Sequence, residues 1–486
     1  MGASASREKF AESVSALIEK DVSADDAEFW DELWKIPSSA EEVFELISAE
    51  SARQLRDNRF DNLATLFTQA TAQLCQIVET PYSIYFDQAL NCTRVLTRIL
   101  PFLLEKGDLG DADENVEHLC WGTGASPIPG DEKIGLVIGQ EDRESVLPPN
   151  VAKFEEEQEP LALLVVHAAM HMLFLPQFTC DFYEEDSLPQ KPKSAEQVRL
   201  EESQRKQDRD RRTDAGLGHV KYLETGISLV PTPTSIIWAP GAGIDATQLG
   251  FEGVTRKYDK NRIEVLRLLL AACCDPLFSP ADEYNPLASR WLAVAVAADA
   301  PNNVCLFYSL LNTVLSYDPN GVPYSSTFAS NNHVKLVELS AQVLCVLLDC
   351  GLPGSPEVVL NKQNQQPIVE FEVASQGGFN MIRTLLARMD SGKELTFVFN
   401  GFSRLLRNVY ESKSKNSYLP NSSIRLECFQ ELMVLLWKFL EENPLFMNHI
   451  LTQCNVNEIV TPICYLMYQS RRDPAQIGLV HICTFV

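Results

Sequence analysis

Few residues in this chain could do chemistry, and each has a plain structural reading beside the chemical one. His167 and His171 stand i, i+4 inside the apolar run LALLVVHAAMHMLFL (161–175), so both imidazoles share one helix face. Two such histidines can begin a zinc site, and a metal-dependent hydrolase built on them is the alternative enzymatic reading. That chemistry needs a further ligand and a base. H-E-x-x-H supplies the base directly after the first histidine, and here Ala168, Ala169 and Met170 fill the gap. The pair therefore reads as core histidines bonded to carbonyls, and no catalytic or metal-ligating residue is assigned.

Gly241, Gly243 and Ala246 spell G-x-G-x-x-A after SIIW. A dinucleotide fingerprint needs a strand before it and an apolar helix after it. Pro240 interrupts the approach and TQLGFEGV lacks a helical pattern, so Trp238 and the glycines read as a structural turn. Walker A, G-x-S-x-G and kinase motifs are absent. No cofactor and no small-molecule substrate are expected. Gly2 followed by Ser6 fits M-G-x-x-x-[ST], which presents a free glycine amine for N-myristoylation once Met1 is removed.

Thirteen cysteines, from Cys75 to Cys483, form no CxxC pair, and many sit in apolar runs, such as Cys273 and Cys274. Buried thiols in a reducing compartment explain this usage better than a disulfide framework, which leaves the sequons at Asn91 and Asn421 incidental. Acidic residues number 66 against 41 basic ones, a net charge of −25 over 486 residues. Such a field repels phosphate backbones and argues against nucleic acid as a partner. Arg205, Lys206, Arg209, Arg211 and Arg212 make a local basic cluster, read as part of a solvated linker.

The elements that must position these residues are helical. In SREKFAESVSALIEK (6–20), Phe10, Val14, Leu17 and Ile18 recur at i, i+4, i+7 and i+8, one apolar face, which is expected to face a membrane. Further helical spacings follow through residue 104. Residues 131–160 then carry nine acids and three bases among Gly and Pro, an acidic loop. From Asn261 onward helical runs succeed one another with short connectors. The expected division is an N-terminal helical region (1–106), an acidic loop (107–160), a core helix (161–180), a charged and Pro/Gly-rich linker (181–260) and a C-terminal helical array (261–486). The fold class is all-α, an irregular α-solenoid of armadillo or HEAT-like type with long acidic and charged loops.

Several stretches together carry a resemblance: the N-terminal MGxxxS, FWDELW, LNCTRVLTRILPF, NRIEVLRLLL, LFYSLLNTVLSYDPNGVPY, FSRLLRNV, YLPNSS and QELMVLLWKF. In this order they resemble the high-temperature-induced dauer formation protein family, relatives of dymeclin, most strongly over 1–104 and 261–486. The resemblance implies a non-enzymatic, N-myristoylated scaffold, cytoplasmic and peripheral on the Golgi membrane, with trafficking proteins as partners. A soluble karyopherin-like transport adaptor is a further alternative. Family members continue beyond QIGLVHICTFV, so the resemblance also implies C-terminal truncation. Ile477, Leu479, Val480, Ile482, Phe485 and Val486 are then expected to leave apolar surface open near residue 486.

Overall fold

A computed structural model describes residues 3–79, 81–105, 110–122, 160–180, 237–243, 256–278, 289–297, 300–319, 331–350, 380–412 and 425–486. Among these residues the regular structure is helical. The one β feature recorded is an isolated bridge between Pro176 and Cys180. The all-α reading therefore agrees with the structure. The chain divides into two compact units, Met1–Glu224 with Arg267–Ala295, and Thr225–Leu266 with Val296–Val486.

Unit 1 holds α1 (Ala3–Glu19), α2 (Ala27–Lys35), α3 (Ala40–Leu46), α4 (Ala49–Asn58), α5 (Phe60–Glu79), α6 (Phe86–Leu104), α7 (Gly110–Trp121) and α8 (Leu161–Met172). Local chemistry sets the starts. Asp26, Ser39 and Ser48 each accept from the backbone N–H three residues on, which caps α2, α3 and α4. The α6 helix packs on α2, α3, α4 and α5, and its buried stripe runs from Ala89 to Leu103. The α7 helix corrects the expectation of a loop throughout 107–160, because GDADENVEHLCW forms helical turns that pack on α8. The acids of its first turns mask the period. A helix N-terminus tolerates them, since negative charge opposes the positive end of the macrodipole.

The helix α9 (Asp259–Ala272) gives residues 259–266 to unit 2 and 267–272 to unit 1. α10 (Arg290–Val296) follows, and Arg290 of unit 1 pairs with Glu117 and lies over the Trp121 ring. Unit 2 continues with α11 (Asn303–Ser316), α12 (Asn331–Asp349), α13 (Met381–Ala387), α14 (Gly392–Glu411), α15 (Phe429–Glu442), α16 (Pro444–Gln453), α17 (Asn457–Ser470) and α18 (Ile477–Phe485). α11 packs on α12, α13 and α14, and α15 on α12, α13 and α16.

A recurrent device closes helix ends in both units. A buried asparagine donates both Nδ2 protons to carbonyls i and i+3 at the end of another helix. Asn62 takes Leu17 and Lys20 of the α1 end at 2.7 and 2.8 Å. Asn91 takes Trp34 and Pro37 after α2 at 2.9 and 2.7 Å. Asn380 does the same for Leu347 and Cys350, and Asn443 for Leu386 and Met389. The last carbonyls of a helix have no intrahelical partner, and each costs about 1–3 kcal/mol if buried unpaired. A planar amide reaches two of them at once. Arginines do similar work: Arg56 Nη1 donates to the Phe102 and Glu105 carbonyls after α6, and Arg404 to Leu315 and Tyr317 after α11.

Candidate functional site

At the N-terminus, Gly2 lies outside the described residues. Ser6 is half-buried on the first turn of α1. The apolar face of α1 is a correction to the membrane-facing expectation. Phe10 is 0% exposed, Val14 and Leu17 are buried, and Ile18 is half-buried. The helix packs on α2, α3 and α4, and ion pairs Lys9–Glu32 and Arg7–Glu45 hold its polar edges to them. The reason is general: a stripe at helical spacing fits a bilayer and a protein core equally well, and here tertiary packing takes it. No described helix is long and apolar enough to cross a membrane.

Both histidines sit on α8, His167 half-buried and His171 exposed, so the core reading is corrected for His171. Among the described residues no group of three or more metal-ligating side chains converges. The thirteen cysteines are free thiols. Burial pushes Cys274 and Cys428 up to about 12 and Cys483 to about 11, so these are poor nucleophiles at neutral pH. Cys464, on α17, is exposed. Asn91 is 3% exposed and serves the helix end, which disposes of that sequon. Asn421, Ala246 and the basic cluster at 205–212 lie outside the described residues.

The glycine string does form a turn. Gly243 has φ +72°, where a side chain is strained, and a Cβ there would meet the Tyr308 ring at 2.5 Å. A Cβ on Gly241 would meet Asn312 Oδ1 at 2.4 Å. Residues 237–243 lie against α11 and α14, with Ala242 N–H donating to Asn312 Oδ1 at 2.9 Å and Gly243 N–H to Glu394 Oε1 at 2.6 Å.

Sequence reasoning missed one constellation, a buried charged cluster in unit 2. Asp259 is 1% exposed, and its two oxygens face Arg262 Nη1 at 3.3 Å and His333 Nδ1 at 2.9 Å. The Arg262 guanidinium in turn lies 4.9 Å from the centroid of the Trp238 ring. The carboxylate thus fixes an arginine that lies over the Trp238 ring and 6.0 Å from the centroid of the Tyr258 ring. The only sequence signal is the i, i+3 spacing of Asp259 and Arg262. His333 is 74 residues further on, and nothing local announces it.

Of the six residues expected to be open near residue 486, Ile477 and Phe485 are exposed, Val480, Ile482 and Val486 are half-buried and Leu479 is buried. Leu445, Met447 and Leu451 on α16, Val460 and Tyr468 on α17, and Ile477 and Phe485 on α18 are exposed, Leu451 by 65% and Phe485 by 69%. Residues 443–486 carry two acids and two bases, Glu458 and Asp473 against Arg471 and Arg472, a neutral stretch in a chain of net charge −25.

A family model described as "Dymeclin: Dyggve-Melchior-Clausen syndrome protein" matches residues 1–486. The chain is 29% identical to "Protein HID1" of Homo sapiens over 496 residues, covering 100% of this chain and 54% of that protein. It is 26% identical over 511 residues to "Ubp5-interacting protein ftp105" of Schizosaccharomyces pombe, covering 100% of this chain and 52% of that protein. The chain thus spans about half the length of these curated relatives. No solved structure matches it.

Proposed function

The chain belongs to the Dymeclin family, and from that premise we propose that it is a non-enzymatic adaptor that binds protein partners at the Golgi membrane, attached through a myristoyl group on Gly2. The observation that carries the adaptor reading is the match of residues 1–486 to the Dymeclin family model. Exposed apolar side chains with few charges, as at Leu451, Tyr468 and Phe485, suit docking, whether of a partner or of the further length that the curated relatives have. The name of the fission-yeast relative records a protein partner for that protein. A solenoid arrangement of the helices suits such a role, because stacked helices offer extended surfaces.

Magnitudes shape the attachment. A single myristoyl chain binds membranes with a constant of only about 10⁴ M⁻¹, so stable residence needs a second contribution. Residues 1–60 hold fourteen acids and seven bases, which opposes anionic lipid. Since the α1 face is occupied by core packing, it does not supply the second contribution. A trafficking protein resident on the Golgi does. Intact-mass analysis of the chain from cells detects the acyl group, and fractionation of Gly2→Ala protein tests its role. The proposal expects Gly2→Ala in the cytosolic fraction. Wild-type protein without the acyl mass, or Gly2→Ala retained on membranes as fully as wild type, overturns it.

A further inference from the structure

The helices α17 and α18 form a hairpin that brings two thiols level. They pack on one another and are joined by residues 471–476. The turn is closely bonded. Asp473 N–H donates to the Ser470 carbonyl at 3.1 Å, Gln476 N–H to the Asp473 carbonyl at 3.0 Å, and Ser470 Oγ to Gln476 Oε1 at 2.6 Å. Register is thereby set. Cys464 stands six residues before Ser470, the end of α17, and Cys483 six residues after Ile477, the start of α18. At 1.5 Å per residue, each lies about 9 Å along its helix from the turn.

The rotation of α18 is set as well. A Cβ on Gly478 would lie 3.7 Å from Gln430 Nε2, and the Phe485 ring centroid is 6.1 Å from that of Trp437, both on α15. Leu479 and Cys483 turn inward, with Cys483 4% exposed. On α17, Ile459, Ile463 and Leu466 are buried, and Cys464, next to Ile463, is exposed. Burial, and after it the neighbouring Cys464, pushes the Cys483 thiol up to about 11, so the two sulfurs feel one another. An exposed thiol beside a second one is the arrangement in which the first takes an oxidant and the second resolves it. Disulfides of that kind form in reducing compartments, where structural ones are rare.

We propose that Cys464 and Cys483 are a peroxide-responsive pair, Cys464 being the thiol that is modified and Cys483 the thiol that resolves it into a disulfide joining α17 to α18. The Cys464 thiolate attacks hydrogen peroxide. The O–O bond breaks, one oxygen stays on sulfur as the sulfenic acid, and the other leaves as water. Cys483 then gives up its proton and attacks the Cys464 sulfur. The S–O bond breaks, and the hydroxyl leaves with that proton as a second water. Two thiols lose two electrons and two protons, and one peroxide becomes two waters. Burial keeps Cys483 protonated at neutral pH, so the second step is the slow one and the sulfenic acid persists long enough to be trapped. This modification site is independent of the adaptor role and of the acyl group.

The test treats the full chain with hydrogen peroxide, blocks the remaining thiols and digests it with trypsin without reduction. Arg471 and Arg472 lie between the two cysteines, so trypsin places them on separate peptides that only a disulfide holds together. The proposal expects the joined peptides in wild type, their separation by dithiothreitol and their absence in Cys464→Ser. Cys454 shares the tryptic peptide of Cys464, so Cys454→Ser should leave the link intact. In Cys483→Ser the resolving thiol is gone, and dimedone should label Cys464 severalfold more than in wild type. Circular dichroism before digestion checks that each chain is helical. A helical, peroxide-treated wild-type chain without joined peptides overturns the proposal. So does a link that survives Cys464→Ser, or Cys464 labelling that Cys483→Ser does not raise.

Discussion

Two apolar helical faces, one near each end of the chain, have opposite fates. On α1, Phe10, Val14 and Leu17 are buried among α2, α3 and α4. On α16, α17 and α18, Leu451, Tyr468 and Phe485 stand open, while Leu479 and Cys483 on the same last helix are packed inward. The α1 residues recur at helical spacing on one helix, whereas the open residues are spread over three. The neighbouring helices cover the first of them within residues 1–486. α1 precedes helices whose own stripes need cover, and its charged edges are matched by Glu32 and Glu45. Amphipathicity shows that a face will be covered; only the neighbours show by what.

The largest effect expected from this contrast is at Phe10. Phe10→Asp should destabilise unit 1 by about 4–5 kcal/mol, the loss of a buried ring plus the cost of a buried carboxylate. Leu451→Asp should change stability by no more than about 0.5 kcal/mol, as an exposed substitution does. Urea denaturation of the full chain followed by circular dichroism measures both; similar losses at the two sites would break the contrast.

Next in size are the asparagine clamps. Asn443→Ala strands two helix-end carbonyls, and Asn91→Ala does likewise after α2. Each should cost about 2–4 kcal/mol, with Asn→Asp no rescue, because a carboxylate cannot donate to either carbonyl. A shift of less than about 1 kcal/mol in the same titration would mean that the helix ends find other donors.

Smaller still is the surface effect. Leu451→Asp with Phe485→Asp should lower binding of a hydrophobic-surface dye severalfold without lowering stability, whereas the wild-type chain binds it strongly. Least of all in energy, but sharp in readout, is thiol chemistry. Under native conditions the exposed Cys464 should react fastest with a maleimide reagent, ahead of the half-buried Cys75, Cys274, Cys345 and Cys454, and Cys464→Ser should remove the fastest phase. Burial holds Cys274, Cys428 and Cys483 well above the usual thiol range and keeps them largely protonated at neutral pH.

Much of this fold was legible in sequence because its signal is local. The runs around Trp30, Leu66, Val95 and Leu306 announce their helices. The glycines at 241 and 243 were readable as a turn because Pro240 breaks the approach and no helical pattern follows; the close approach of Tyr308 and Asn312 that requires them was not. What stayed hidden is non-local. Asn62, Asn91, Asn380 and Asn443 look like polar interruptions of apolar faces until the carbonyls they serve, at least 30 residues away, come into place. His333 meets Asp259 across 74 residues, and Glu394 meets Gly243 across 151. The membrane role given to Phe10 failed on the same ground: period reports a face and never its occupant.

The most direct test of the account is flotation of the full chain with neutral phosphatidylcholine vesicles, comparing enzymatically N-myristoylated protein with unacylated protein. If the α1 face is core and the acyl group on Gly2 is the membrane contact, the unacylated chain stays at the bottom of the gradient. The acylated chain floats in part and reversibly, as a constant of about 10⁴ M⁻¹ requires. Equal flotation of the two forms would contradict the account.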